Sequence, residues 1–478
     1  MAAAAVQEHE FLIGGEWRDS EEWSEVRNPY GGIVGATFLA AESDIEDAIQ
    51  SGVRGFEAMK ALPSYKRADI LAGTAERIKA GKEDFARSIT LESGKPIKDS
   101  RGEVERAIMT FTIAAEEAKR LPGEMIPLDL NQASEGRIGV VQRFPIGLVL
   151  GITPFNFPLN LVAHKVAPAL AAGNSIIIKP SPRTPLTALL LGEVVMDSGA
   201  PAGALNVVPC SNDLARKMVA DERIKALSFT GSTEVGWELK ALAGKKRVIL
   251  ELGGNAAVIV DADADIDYAA ARCAAGAFSH AGQSCISVQR IYIHRSRYDE
   301  FVREFVELAE HKKLGDPMDE ATDVGPLINE DAARRIEQWV KEAVDVGAKV
   351  LTGGRRQGTM YEPTVLEGVD PKQRISCLEA FGPVALVEPF DSFQEAIDKV
   401  NDSESGLQAG IFSNNLEHIF RAHRELVVGQ VIVNDVSNYR IDHMPYGGVK
   451  NSGFGREGVR YAIEELTDIR LLAINPRK

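Results

Sequence analysis

What most constrains this chain is a change of hydrophobic period that repeats along one stretch. Between residues 146 and 251, short apolar runs rich in β-branched residues alternate with segments of helical spacing. Ile146–Ile152, Ser175–Lys179, Leu205–Val208, Ala226–Phe229 and Val248–Leu250 read as strands. Pro185–Ser198, Asp213–Ala220 and Glu234–Leu242 read as helices. Runs apolar on both faces must be covered on both faces, and the intervening helices supply the cover. The alternation implies a mostly parallel sheet of the nucleotide-binding kind. A second α/β region follows Asn255, with strands at Ala257–Val260, Ile291–Ile293, Val384–Val387 and Val431–Val433 and helices at Ile266–Phe278, Tyr298–His311 and Ala332–Val346.

The flanks are simpler. Phe11–Ile13 and Gly31–Phe38 read as β structure separated by the turn Asn28-Pro-Tyr-Gly-Gly32. The pattern from Ser43 to Ser100 is helical, with Ser43 and Glu46 spaced as a capping box. A further helix is expected over Gly102–Arg120, stopped by Leu121-Pro-Gly123. Residues 137–143 alternate as a strand that breaks at Pro145, and Leu466–Ile474 reads as a last strand.

A length of 478 residues suffices for two or three domains. A net charge of −15 disfavours nucleic acid and anionic membrane as partners, so any selectivity for anions must come from local arginines. No apolar run reaches the roughly 18–20 residues of a membrane helix. The stretch Met1-Ala-Ala-Ala-Ala-Val6 has neither the length nor the basic residues of a signal peptide. The cysteines, Cys210, Cys273, Cys285 and Cys377, are scattered without a CxxC pair, which argues against a metal site or a disulfide framework and for a reducing, cytosolic location.

Chemistry concentrates at Glu251-Leu-Gly-Gly-Asn255 and Gly282-Gln-Ser-Cys285, whose Glu and Cys lie 34 residues apart. A thiol is reactive as its thiolate and needs a base or a positive field. A carboxylate with a raised pKa can act as that base or activate a water. Taken alone, the pair is equally a strand-end acid and a buried thiol. Gly231-Ser-Thr-Glu-Val-Gly236 sits between a strand and a helix, where a pyrophosphate binds to free N–H groups. Lys179 ends a buried strand, where α/β sheets hold ligands.

These segments, with Thr153-Pro-Phe-Asn-Phe-Pro158, Phe229-Thr-Gly231 and Glu379-Ala-Phe-Gly-Pro383, occur in the order and spacing of the aldehyde dehydrogenase superfamily, which the chain resembles from Ile13 to Gly458. The resemblance implies an α/β fold of two domains with parallel-rich sheets and a small β arm for oligomerisation. Its expected boundaries are 1–123 and 147–254 for the cofactor domain, 255–445 for the catalytic domain, and 124–146 with 460–478 for the arm. It implies Cys285 as nucleophile, the Asn156 amide and the Cys285 N–H as oxyanion donors, and Glu251 as the base that hydrolyses a thioester. NAD or NADP would lie along Thr153, Phe155, Lys179, Ser181, Pro182, Arg183, Phe229, Gly231, Ser232 and Val235, with Glu379 and Phe381 at the nicotinamide end. Pro182 stands where NAD-selective members often carry Glu, and Arg183 follows, so NADP is expected to be accepted.

The stretch Arg440-Ile-Asp-His-Met-Pro-Tyr446 resembles the branch of lactaldehyde and non-phosphorylating glyceraldehyde-3-phosphate dehydrogenases. In that branch Arg106 and Arg440 would face a small hydroxylated or anionic aldehyde, with Phe155, Ser284, Ile286 and Tyr446 around it. Ser284, where phosphate-using members often have Arg, leans away from a phosphorylated substrate. Glu251 favours hydrolysis over acyl transfer to coenzyme A, the alternative chemistry; a catalytically silent cofactor-binding member is the other alternative. His280 near the cysteine is expected to be incidental, and Cys210 and Cys273 to be packing residues. The expected assembly is a homodimer or homotetramer.

Overall fold

A computed structural model describes residues 7–476, so the reading of Met1–Val6 lies outside the described residues. The first sheet has eight strands. Its five central strands are parallel, in the spatial order Arg247–Glu251, Ile224–Thr230, Leu148–Ile152, Ser175–Lys179 and Leu205–Val207. Antiparallel strands close both ends, Gly453–Phe454 at one and Phe11–Ile13 with Glu16–Arg18 at the other. The chain starts at Leu148–Ile152, builds outward on one side, then returns to build on the other. The switch point therefore lies between Leu148–Ile152 and Ile224–Thr230, and the crevice beyond their carboxyl ends is where open α/β sheets take ligands.

The second sheet has seven strands in the order Lys349–Thr352, Thr364–Glu367, Val384–Phe390, Arg290–His294, Ala257–Val260, Gln408–Phe412 and Gln430–Val433, all parallel except the first. The chain passes from the end of Arg247–Glu251 to the start of Ala257–Val260 through Leu252–Ala256 alone. That short crossing sets the carboxyl edge of the first sheet against the amino edge of the second. Each sheet has its own apolar core, the first around Val149, Ile177 and Leu227 and the second around Val258, Ile291 and Ala385.

A three-stranded antiparallel sheet of Thr467–Ile474, Ile138–Pro145 and Glu124–Pro127 stands apart from both. Its outer strand exposes Ile469, Leu471 and Leu472 to more than half their full areas. Before it, helix Val459–Glu465 buries Val459 and Ile463 in the first core.

Local expectations hold with small shifts. Ser175–Lys179, Ala257–Val260 and helix Ile266–Phe278 have the expected bounds, while the helix expected at Gly102–Arg120 runs Ile97–Glu117. As expected, one strand ends at Pro145, which still faces Thr467 in the ladder, and the next begins at Leu148. One expectation differs in kind. The first helix begins at Glu42, and the reciprocal cap is the Asp44 carboxylate accepting the Ala41 N–H at 2.8 Å, so Ser43 and Glu46 are not its capping pair. Among the described residues no helix is long and apolar enough to cross a membrane.

Candidate active site

The crevice between the sheets holds a cavity of about 260 Å³. The first sheet supplies Phe155 and Asn156 after Leu148–Ile152, Gly231 and Ser232 after Ile224–Thr230, and Glu251 at the end of its strand. Ser284, Cys285 and Ile286, Glu379 and Phe381, and Arg440 and Tyr446 line it from the second half of the chain, and Arg106 comes from helix Ile97–Glu117. Residues read as catalytic, nicotinamide-facing and substrate-facing thus share one space.

The Cys285 loop is held from inside. Gln283 is fully buried, donates to the carbonyls of His280 and Pro326 at 3.3 Å, and accepts the Ile328 N–H at 2.8 Å. Asn156 Nδ2 donates to the Gln283 carbonyl at 2.9 Å, which leaves its second N–H for another acceptor beside Cys285. Among the described residues no acceptor is recorded for the Cys285 N–H. The opposite wall comes very close: a Cβ on Gly254 would lie 2.1 Å from the Cys285 carbonyl oxygen, so only glycine fits there.

Burial pushes the Cys285 thiol up to about 12, and the Tyr446 hydroxyl, 3.3 Å from Sγ, works against that rise. Glu251 is held well above the usual carboxylate range by burial and then by the negative charge of Glu457. Both Glu251 oxygens are buried without a protein partner. Such a carboxyl is poised to exchange a proton with a group entering the cavity.

Glu379 accepts the Gly254 N–H at 3.1 Å, and burial raises its carboxyl to about 7. Its loop is held by Gln289, which donates to the carbonyls of Ile375 and Leu378 and accepts the Ala380 N–H. Phe381 sits at φ 48° with its ring edge-on to Phe155, 5.8 Å between centroids. Ser232 precedes helix Thr233–Leu242 and makes no side-chain bond to that helix, which leaves its hydroxyl available beside the first-turn N–H groups. Phe229 is buried beneath Gly231, and Val235 lies in the helix's first turn, half-buried.

The other residues expected on the dinucleotide lie outside this cavity, along the carboxyl edge of the first sheet. Thr153 is buried after Leu148–Ile152. Lys179 is buried, which lowers its pKa, and donates to Asn212 Oδ1 at 3.0 Å. Ser181 accepts the Arg183 N–H at 3.2 Å, and Pro182 and Arg183 are exposed. The edge therefore offers an exposed guanidinium and, at the position read for the ribose, no carboxylate.

Arg106 and Arg440, the arginines expected to face a substrate, both line the cavity, and both are tethered. Arg106 grips Asp442 with two nitrogens, at 2.8 and 3.3 Å. Arg440 donates to Glu457 Oε2 at 3.1 Å and stacks 3.6 Å over the Tyr446 ring, with Nε unpartnered. Beneath them lies a buried polar network that the sequence reading missed. Asp442 also meets His164 Nε2 at 2.8 Å and Asn160 Nδ2 at 3.1 Å. Glu457 meets Lys165 at 3.1 Å. Charge pairing with Arg106 and a hydrogen bond from His164 overcome burial and hold Asp442 well below the usual range; Lys165 and Arg440 do the same for Glu457. Glu103 was missed as well. It is buried, pairs with Lys95, and accepts the N–H groups of Leu159 and Asn160 at 2.9 and 3.1 Å, fixing the turn that carries Asn156.

His280 is buried against Phe157, 6.3 Å between ring centroids, with neither ring nitrogen partnered, and it does not line the cavity. Cys210 and Cys273 are buried packing residues. Among the described residues no cluster of three metal-ligating side chains occurs.

Residues 17–472 match the model of the aldehyde dehydrogenase family. The chain is 44% identical over 473 residues to the 3-sulfolactaldehyde dehydrogenase of Priestia megaterium, covering 98% of each. Among solved structures it resembles aldehyde dehydrogenase 21 from Physcomitrella patens in complex with its product succinate, with a TM-score of 0.97, 44% identity, and 98% and 99% of the two chains covered. It also resembles the glyceraldehyde-3-phosphate dehydrogenase GapN of Methanocaldococcus jannaschii complexed with NADP, with a TM-score of 0.91, 40% identity and coverage of 96% and 99%.

Proposed function

Because the chain belongs to the aldehyde dehydrogenase family, we propose that it oxidises a small anionic aldehyde, with a carboxylate or sulfonate at its far end, to the carboxylic acid, with NAD or NADP as acceptor. The observation that carries this reading is the shared cavity: Cys285 and Glu251 line the same small space as the guanidinium groups of Arg106 and Arg440. A similar relative named for a sulfonated aldehyde and a similar structure holding succinate support the substrate class.

Cys285 attacks the aldehyde carbon; the S–C bond forms while the carbonyl π pair moves to oxygen. The Asn156 amide and the Cys285 N–H receive that oxygen, an arrangement in which one donor contributes about 3–4 kcal/mol to lowering the barrier. The dinucleotide, when bound, supplies the hydride acceptor, and the sulfur is left carrying an acyl group. Ser232 and the helix N-terminus behind it suit the pyrophosphate, Glu379 the nicotinamide ribose, and Lys179 with Ser181 and Arg183 the adenosine end. Glu251 takes a proton from water, which attacks the thioester carbon; the C–S bond breaks, the carboxylic acid is released and Cys285 leaves as the thiolate, and the buried, unpaired Glu251 carboxyl supports hydrolysis over transfer to coenzyme A. Residues 7–123 and 147–254 act as the cofactor domain and 255–445 as the catalytic domain. The exposed apolar strand Thr467–Ile474 supports an arm that joins subunits through its open edge. A catalytic thiol suits a reducing compartment such as the cytoplasm.

The test is NAD(P)H formation with 3-sulfolactaldehyde, succinic semialdehyde, lactaldehyde and propanal, each with NAD and with NADP. The reading expects the two anionic aldehydes to give the highest kcat/KM without coenzyme A, and Cys285→Ala to abolish turnover. Propanal outperforming both anions would refute the substrate class, and turnover only with coenzyme A would refute hydrolysis.

A further inference from the structure

We propose that Tyr446 is a catalytic hydrogen-bond donor to the nucleophile, its phenol stabilising the reactive thiolate form of Cys285. The inference rests on Cys285 being the nucleophile and goes beyond a role for Tyr446 as cavity wall.

The Tyr446 hydroxyl lies 3.3 Å from Cys285 Sγ, and no other partner is recorded for it among the described residues. A buried phenol needs a partner, and here the sulfur is that partner. A thiolate has no proton to give, so once Cys285 ionises the phenol must donate. The geometry is held from three sides. Tyr446 and Glu457 exchange backbone bonds, Tyr446 N–H to Glu457 O at 3.0 Å and Glu457 N–H to Tyr446 O at 2.7 Å. The ring is 1% exposed. The Arg440 guanidinium lies 3.6 Å from the ring centroid and is itself anchored at 3.1 Å on Glu457 Oε2. A cation on the ring face draws electron density from the phenol and strengthens its O–H as a donor. A phenylalanine would fill the same wall, so the hydroxyl is the part the wall does not require.

The step balances without consuming Tyr446. The thiol proton passes to the Glu251 carboxylate, which lines the same cavity, and from there to solvent, so that Glu251 is ionised again for hydrolysis. As the S–C bond forms and the carbonyl π pair moves to oxygen, charge leaves the sulfur and the phenol relaxes its bond. Tyr446 keeps its proton throughout.

The test is Tyr446→Phe in the full-length enzyme, read by the rate at which iodoacetamide alkylates Cys285, with the modified residue identified by mass spectrometry. A hydrogen bond to a charged group moves a thiol pKa by about one to two. Intrinsic nucleophilicity recovers part of the lost thiolate, so alkylation at fixed pH falls about three- to tenfold. Aldehyde oxidation falls in step, the alkylation pH profile moves upward, and the cofactor KM holds. Equal alkylation rates and pH profiles in the two proteins would overturn the proposal. If Cys285→Ala still oxidises aldehydes, the nucleophile assignment fails instead, and the two failures are distinguishable.

Discussion

Arg106→Ala separates a substrate-binding arginine from a structural one. Arg106 engages Asp442 through Nε and Nη2, which occupies two of its five N–H donors and leaves three on a side chain that lines the cavity. Its side chain is 28% exposed. A hydrogen bond to a charged group contributes about 1.5–3 kcal/mol, and the adjacent Asp442 charge with partial solvent screening argues for the lower end. A loss of about 1.5 kcal/mol is about tenfold in kcat/KM. Removing Arg106 takes the guanidinium from buried Asp442 and leaves its bonds to His164 and Asn160, so a chemical denaturation curve of the variant accompanies the kinetics. In steady-state assays, kcat/KM for succinic semialdehyde is expected to fall about tenfold and that for propanal less than twofold, a contrast that added salt narrows. Arg440→Ala is a different perturbation. It strips one counter-ion from buried Glu457 and the cation from the Tyr446 ring, and breaking a buried pair costs about 3–5 kcal/mol. Its activity loss is expected to extend to every aldehyde. Equal losses for both aldehydes in Arg106→Ala, or none for either, would refute an anion-binding role for that side chain.

Glu251→Gln removes the group assigned both to the thiol proton and to water activation: a slowed burst of about one NAD(P)H per site is expected, then a steady rate lower by about 10²–10⁴-fold, seen by stopped-flow absorbance. In the wild type, deacylation depends on ionised Glu251, whose pKa is raised, so single-turnover thioester hydrolysis is expected to speed up as pH climbs above the usual carboxylate range, and to be flat with pH in the Gln variant. Glu103→Ala leaves Lys95 buried without its partner and orphans two backbone N–H groups, which predicts a loss of about 3–5 kcal/mol in chemical denaturation. Ile469→Asp with Leu471→Asp charges the exposed strand of the arm, and light scattering is expected to report a smaller assembly with the cofactor site intact.

The residues that line the cavity and are proposed to react were legible because each sits in a short segment whose meaning is local. Gly231 and Ser232 lie in one turn, and Glu251 and Gly254 lie three residues of chain apart. What supports them was not legible, because those partners are remote in sequence. Lys165 and Glu457 are 292 residues apart, and Arg106 and Asp442 are 336 apart. A single sequence holds no record of such pairings, and a lysine inside a helix reads as a surface residue until the fold buries it. The same holds for strands. Gln408-Ala-Gly-Ile-Phe412 carries a glutamine and a glycine and gives little β signal, yet it lies fully buried inside the second sheet, where pairing with Ala257–Val260 and Gln430–Val433 decides its conformation. The capping pair slipped for the opposite reason. Glu42, Asp44 and Glu46 crowd the helix start, and pattern alone does not say which carboxylate turns back.

The buried network also changes what the two arginines mean. Read from sequence, they are free cations waiting for an anion. In the fold, Asp442 and Glu457 compensate them, so the cavity need not hold two bare positive charges before substrate arrives. A site compensated in this way selects an anion through the N–H donors left over, whose directions the buried carboxylates fix, and less through its total charge. Charge alone would attract any small anion; oriented donors demand an acceptor at a set distance from the carbon that Cys285 attacks. Chain length between aldehyde and anion should therefore matter more than the charge of the anion. Across a series of ω-carboxy aldehydes of increasing length, kcat/KM is expected to peak sharply at one length, and a flat profile would return the arginines to the role of a diffuse positive field.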